Sequence, residues 1–349
     1  MDSKRFAAAL TAALCAVCAV SCSSKGGSVS ENSEPAATVT AATVEITTEP
    51  VSESSGKDSA DINDYVTVKD PTPAMWKVTD KETGNTLYML GTMHIVTNDT
   101  YPLPDYIMDV YKDCDGIAIE YDVNQLSDLA TLQEYYSRLV YIDGTDITNH
   151  LSKEAYERSK KFMGENLFYN ETMDGYTAGF WATQIESTAI MKIGNVNTEG
   201  VDYRFMTLAT EDSKEIVSIE TAKDQADVMN AFSDDLADYI IIELMDGVED
   251  MEAFAESFAS QYDLWASGDI DALDEETAIY GLPKELQDDY THYLNLVIFE
   301  RNEQMADKAV EYMKEGKNYF FMVGAAHFAG GRGVDDILAE RGYKVERVA

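Results

Sequence analysis

The sequence predicts an α/β protein built on a largely parallel sheet, with helices on both faces and large helical insertions. Three observations carry that reading. Short, mainly apolar runs at 86–90, 116–119, 216–219 and 319–323 have the length and continuity of strands buried on both faces. They alternate with longer segments of helical period, the pattern of strand–helix–strand units. Each run leads into a titratable residue, His94, Glu120, Glu220 or His327. In an open α/β sheet ligands bind beyond the carboxyl ends of the strands. If the four strands are parallel, these side chains meet at one rim.

The elements follow in order. Residues 75–79 alternate, Thr83-Gly84-Asn85 supplies a turn, and 86–90 form a second strand, which makes a hairpin. Beyond His94, Leu103, Ile107, Val110 and Cys114 keep helical spacing, with Pro104 near the first turn. "GIAIE" is a short buried strand ending in Glu120. From Asn124 to about Phe205 the pattern is mainly helical. Ser152 caps one helix, and the largely apolar stretch 175–193 packs inside. "EGVDYRFMTLATEDS" is a further helix and "KEIVSIE" a strand ending in Glu220. Residues 221 to about 314 are helical again, with acidic faces. "NYFFMV" is a buried strand, "GVDDILAERGY" a short helix stopped by Gly342, and "KVERV" a last strand.

Composition bounds the class. Hydrophobic residues make up 45% of the 349, enough for a proper core. Asp and Glu number 64 against 26 Lys and Arg, a formal charge of -38. That charge excludes nucleic acid or an anionic membrane as a partner held by a broad electrostatic face. Residues 1–21 have the form of an export signal: Lys4 and Arg5, then an apolar run from Phe6 to Val20 too short for a comfortable membrane span. The run ends in "AVSC". Cys22, followed by "SSKGGS", resembles the lipidated cysteine of a bacterial lipoprotein. An ordinary cleaved signal with a chance Cys is the alternative. Residues 22–64 are rich in Ser, Thr, Glu, Ala and Gly, the composition of a disordered tether. The folded domain is expected at 65–349, outside the cytoplasm and anchored only through lipid. Cys114 is left without a disulfide partner and reads as a buried thiol.

The candidate site starts from a repetition. "LGTMH" and "VGAAH" put His94 and His327 at the same Gly-x-x step behind a buried strand, and the chain has only 4 histidines. Gly91 and Gly324 let backbone approach a ligand closely. Two imidazoles and a carboxylate make a usual divalent-metal site, and Glu120 is the natural carboxylate. Its plainer role is a strand-end acid paired with Arg301 or Arg332. Arg301 falls in an apolar helical stripe with Leu294, Ile298 and Met305. It either reaches out of the core or meets acids at the site. Asn302 points about 100° away and joins Arg301 there only if the helix end faces the site. Asp202 reads first as a helix N-cap, and Glu220 either braces the next helix or lies on the rim. No Gly-x-Ser-x-Gly elbow or phosphate loop is present, and "AHFAGGRGVDD" reads as a mobile loop over His327.

"LGTMH", "AIEYD", "EGVDYRF", "SIETAKDQ", "ERNEQMADKAVEYM" and "FMVGAAHFAGGRGVDDILAERGYKVERV" occur in the order seen in the TraB/GumN family, which includes bacterial pheromone-shutdown proteins and resembles the animal Tiki proteases. The resemblance covers about residues 74 to 349. It implies a fold like that of the erythromycin esterases and the haem-binding ChaN proteins, with two related strand halves. For the Tiki branch it implies a metal-dependent peptidase that uses His94, His327 and Glu120, with Arg301 and Asn302 in the matching helix motif. The expectation is therefore an exported, membrane-tethered hydrolase holding a divalent ion (Mn, Co or Zn) and acting on a peptide or small molecule. The alternative is a non-catalytic protein that sequesters a signalling peptide or haem.

Overall fold

The structure is a computed structural model that describes residues 60–166, 169–277 and 282–348. The expected signal, Cys22 and the expected tether as far as residue 59 lie outside the described residues. The tether's last residues do not fit that role. Ile62 is fully buried in the core, and its N–H donates to the Gly194 carbonyl at 3.1 Å. The packed chain therefore starts by Asp61, ahead of the expected boundary at 65.

Eight strands are present among the described residues. These are β1 Met75–Thr79, β2 Thr86–Thr92, β3 Val96–Thr97, β4 Gly116–Ile119, β5 Val196–Asn197, β6 Glu215–Ser218, β7 Tyr319–Gly324 and β8 Lys344–Arg347. Six of them form one sheet in the order β6-β4-β7-β2-β1-β8, and β3 and β5 form a small antiparallel ribbon. The pairs β6–β4, β4–β7 and β7–β2 are parallel. The hairpin strand β1 runs antiparallel to both β2 and β8.

Burial explains the order. β4 and β7 are buried at every position and lie in the middle of the sheet, as continuous apolar strands should. β8 alternates charged residues with Val345 and lies at one edge. The run at 216–219 was expected to be fully buried, but β6 is the opposite edge strand and is only half-buried. Its apolar residues cover one flank of β4 and have no strand beyond them.

Helices cover the sheet. Tyr111 of the helix Asp105–Asp113 meets Phe205 of the helix Val201–Glu211, with centroids 5.3 Å apart, and Phe205 meets Phe320 of β7 edge-on at 5.6 Å. Both helices therefore lie over the same part of the sheet. The helix Ala178–Met191 is buried on nearly all sides, as its apolar sequence requires. Within the last long helical segment, residues 295–299 form a wide π turn that runs straight into the helix Glu300–Lys314. Nothing in the hydrophobic spacing marks that turn.

The register places one row of residues across the four parallel strands. Leu90 pairs with Met322, Met322 with Ile119, and Ile119 with Ser218. His94, Glu120, Glu220 and His327 all follow this row within a few residues, on the carboxyl edge.

Two glycines test the packing. A Cβ at Gly179 would overlap the carbonyl oxygen of Met229, whereas a Cβ at Gly164 would meet open space. Gly179→Ala is expected to destabilise the protein by about 1–3 kcal/mol, because backbone must move. Gly164→Ala, at an exposed position of the helix Lys153–Glu165, is expected to be neutral or stabilising by up to about 1 kcal/mol. Urea unfolding of both variants checks the pair.

Candidate functional site

His94 lies in the loop after β2, pressed against the start of the helix Val201–Glu211. The N–H of Val201 donates to the Met93 carbonyl at 2.9 Å. A Cβ at Gly200 would overlap the backbone of His94, so a glycine is required for that approach. His94 Nδ1 lies 2.6 Å from Asp202 Oδ2, and Asp202 Oδ1 accepts from the Thr92 hydroxyl at 2.5 Å. Asp202 is therefore not the N-cap. Gly200 holds that position, and the Asp202 side chain turns inward to the histidine. Burial alone would raise the Asp202 carboxyl, but His94 and the Thr92 hydroxyl together hold it below the ordinary range.

His327 sits in a single 3-10 turn, Ala325–Phe328, after β7, and is fully buried. Its Nδ1 is 2.6 Å from Asn302 Oδ1, while Asn302 Nδ2 donates to the Arg332 carbonyl at 2.8 Å. These two contacts fix the tautomer. The amide nitrogen must face the carbonyl, so Oδ1 faces the ring and Nδ1 carries the proton. His327 Nε2 is then a lone pair. It is buried without a hydrogen-bond partner and stands 3.7 Å from Glu120 Oε1. Burial, then Arg301 and His94, push the imidazole well below its usual pKa, so it is neutral and forms no ion pair with Glu120.

Glu120 and Glu220 leave the neighbouring strands β4 and β6 and share one cation. Arg301 donates from Nε to Glu220 Oε1 at 2.7 Å and from Nη2 to Glu220 Oε2 at 2.8 Å and Glu120 Oε2 at 2.9 Å. Its Nη1 donates to the Val297 carbonyl in the π turn at 2.9 Å. Gln225 Nε2 adds a bond to Glu220 Oε2 at 2.6 Å, and the Gly324 N–H donates to Glu120 Oε1 at 2.6 Å. All three charged groups are buried. Burial raises the Glu120 carboxyl, and Arg301 and His94 offset this only in part. Burial would lower Arg301, but the two glutamates hold it firmly protonated.

Gly324 marks where the parts meet. A Cβ there would lie 3.2 Å from Glu120 Oε1, 3.8 Å from His327 Cδ2 and 3.9 Å from His94 Nε2. Glu120, His327 and His94 thus surround one point. Gly91 serves the same assembly differently. A Cβ on it would press on Ala325 at 3.2 Å, so the two Gly-x-x-His loops pack directly on each other.

The donor chemistry fits a divalent ion. Each imidazole has an oxygen on Nδ1, the usual orienting arrangement around a metal-binding histidine, and His327 Nε2 is a buried lone pair lacking a donor. The spacing is open. Among the described residues no group of three or more His, Cys, Asp or Glu side chains already forms a metal cluster, and both oxygens of Glu120 are engaged.

Every residue singled out in the sequence has a definite place. Arg301 and Asn302, adjacent in sequence, are both buried and both reach the site, because the helix meets it end-on after the π turn. Arg301 is committed to the chain's own acids, with four of its five N–H donors in use, which leaves little for a substrate. Arg332 does not pair with Glu120. Its guanidinium lies over the Phe299 ring instead. Cys114 is a buried free thiol, its Sγ donating to the Tyr111 carbonyl at 2.9 Å. Sequence reasoning missed Thr92, Gln225 and Trp265, whose indole N–H donates to the Gly91 carbonyl at 3.0 Å. Thr92 lies inside "LGTMH" and Gln225 inside "SIETAKDQ", beside residues that do stand out. Trp265 had no signal, since it comes from a distant helix.

The model of the TraB/PrgY/gumN family matches residues 74–347. The chain is 21% identical to a "Metalloprotease TIKI homolog" of Amphimedon queenslandica over 318 residues, which are 79% of this chain and 61% of that protein. It is 22% identical to "Metalloprotease TIKI2" of Xenopus tropicalis over 305 residues, 74% of this chain and 57% of that protein. It is 23% identical to the "Uncharacterized protein YbaP" of Escherichia coli K12 over 147 residues, 40% of this chain and 49% of that one. The chain spans less than two thirds of the length of each of these relatives. No solved structure matches it.

Two measurements probe the buried charges. Arg301→Ala leaves two facing carboxylates without their cation and is expected to cost about 3–5 kcal/mol in urea unfolding. Arg301→Lys recovers only part of this, because an ammonium lacks the planar fork. His327 supplies a pH signature. Unfolded histidine takes up a proton near pH 6.5, and buried His327 resists it. Its contribution is therefore intact above pH 6.5 and is lost as pH falls. Between about pH 7.5 and pH 5.5 the loss is about 1.4 kcal/mol, read as the change over that range in the difference of unfolding free energy between the wild type and His327→Gln.

Proposed function

The chain belongs to the TraB/PrgY/gumN family, and from that membership we propose that it is a metal-dependent hydrolase acting on peptides outside the cytoplasm. The single observation that carries the reading is the meeting of His94 Nε2, His327 and Glu120 around Gly324 at the carboxyl edge of the parallel strands. Its similarity to proteins named metalloproteases supports the same class. In this reading the Nε2 atoms of His94 and His327, with Glu120, hold a divalent ion (Mn, Co or Zn). Such an ion supplies Lewis-acid polarisation of a carbonyl and an activated water. The chain's own groups do the rest. Asp202 and Asn302 keep the two Nε2 lone pairs turned inward. Glu120, where it is not itself a ligand, takes and returns a proton at Oε1, the oxygen facing His327. Arg301, braced by Glu220 and Gln225, holds that carboxylate in place. Asn302 thus acts through His327, and Arg301 through Glu120.

Export by the segment 1–21 and anchoring through lipid on Cys22 belong to the same proposal, as does likeness to the erythromycin-esterase and ChaN fold with its two related halves. No helix among the described residues is long and apolar enough to cross a membrane. The high acidic excess supports a peptide or small molecule as the partner, and not a nucleic acid.

A second reading has an observation of its own. Both Glu120 oxygens are already hydrogen-bonded, which suits a site that captures a signalling peptide or haem without cleaving it.

Residues 60–349, purified without a histidine tag, are expected to retain about one divalent ion per chain and to cleave members of a peptide library. His94→Ala and His327→Ala should each lower both by at least about 100-fold. Mass spectrometry of the library and elemental analysis of the protein check this. Uncleaved but tightly held peptide, or a Soret band abolished by one histidine substitution, would favour the second reading.

A further inference from the structure

Glu120 and His327 are buried and the His94 side chain is only 8% exposed, so something else must recognise the substrate. Arg332 is exposed, in the loop that follows His327. Its backbone carbonyl accepts the Asn302 side-chain N–H at 2.8 Å, and Asn302 Oδ1 takes the Nδ1 proton of His327 at 2.6 Å. Arg332 is thus tied to the catalytic histidine through one side chain. Its guanidinium carbon stands 4.0 Å from the centroid of Phe299, in the π turn that leads into Arg301. Stacking occupies the face of a guanidinium and leaves its N–H edges free to donate.

What Arg332 lacks is an acid. The chain carries 64 Asp and Glu, and Arg138, Arg158, Arg301 and Arg341 each reach one or more carboxylates. Among the described residues no carboxylate lies within ion-pair distance of Arg332. Inside the site Arg301 is spent on Glu120 and Glu220, so it has little left for an anionic group of a ligand, which needs a cation at the edge.

We propose that Arg332 is the specificity-determining anchor for a carboxylate of the substrate, held on Phe299 so that its free edge takes both oxygens. This rests on the hydrolase reading and narrows it to peptides with a carboxylate placed outward from the cleaved bond. The carboxylate comes from a free C-terminus or from an acidic side chain. A fork-to-fork pair of this kind adds geometry as well as charge.

The test uses the full chain and three probes: Ac-Ala-Phe-Ala as the free acid, the same peptide as its amide, and Ac-Ala-Phe-Asp as its amide. Dissociation constants are measured by calorimetry for the wild type, Arg332→Gln and Arg332→Lys. The wild type is expected to bind one or both carboxylate probes at least about ten-fold more tightly than the plain amide. Arg332→Gln abolishes the preference, and Arg332→Lys keeps part of it. The acid and the Asp amide distinguish the two sources of the carboxylate. Equal binding of all three, an unchanged preference in Arg332→Gln, or no binding by any probe overturns the anchor. Cleavage of the same probes is followed by mass spectrometry. All three probes cleaved alike overturn the anchor and leave the hydrolase standing. Carboxylate-dependent binding without cleavage upholds the anchor and overturns the hydrolase.

Discussion

Two buried glutamates on adjacent parallel strands are the constraint on which the rest depends. Glu120 and Glu220 leave β4 and β6 at the same edge, where water is excluded, and like charges there are strongly unfavourable. One guanidinium between them relieves this, and only a planar fork reaches both carboxylates at once. That need explains the approach of the helix Glu300–Lys314. Its N-terminal end must face the sheet edge, and the π turn at 295–299 brings it there while offering the Val297 carbonyl to Arg301. Once Arg301 is placed, Asn302 follows it into the site and fixes His327.

The repeated Gly-x-x-His step is one device used twice with different partners. In both copies the glycine allows close approach, Gly91 onto Ala325 and Gly324 onto Glu120. In both, Nδ1 faces a fixed oxygen, and the far edges of the two rings, His94 Nε2 and His327 Cδ2, lie about Gly324. His94 is held by an ionised carboxylate and His327 by a neutral amide oxygen. A carboxylate makes its histidine the stronger electron donor, while the amide only orients. The two histidines are therefore alike in placement and unlike in electronic character.

Much of this was legible in the sequence for a simple reason. Buried parallel strands announce themselves as unbroken apolar runs, and a polar residue at the end of such a run has few places to go except the strand edge. His94, Glu120, Glu220 and His327 could all be assigned to that rim. Arg301 stood out because a charge inside an apolar stripe requires a partner. The sequence was less informative where function depends on direction. Asp202 sits after a glycine at a helix start, which fits a cap, but its side chain turns inward because Gly200 lets His94 come close. β6 looked as apolar as a central strand, and only its place in the sheet makes it an edge. Arg332 could have paired with Glu120, and only the path of its loop shows that it stacks on Phe299.

In the proposed reading the two repeated histidines and Glu120 together hold one divalent ion. Anomalous diffraction from crystals grown with Mn²⁺ tests this most directly. A single strong peak is expected about 2.0–2.3 Å from both His94 Nε2 and His327 Nε2 and beside Glu120. A peak bound elsewhere on the acidic surface, with none between the two imidazoles, would contradict it.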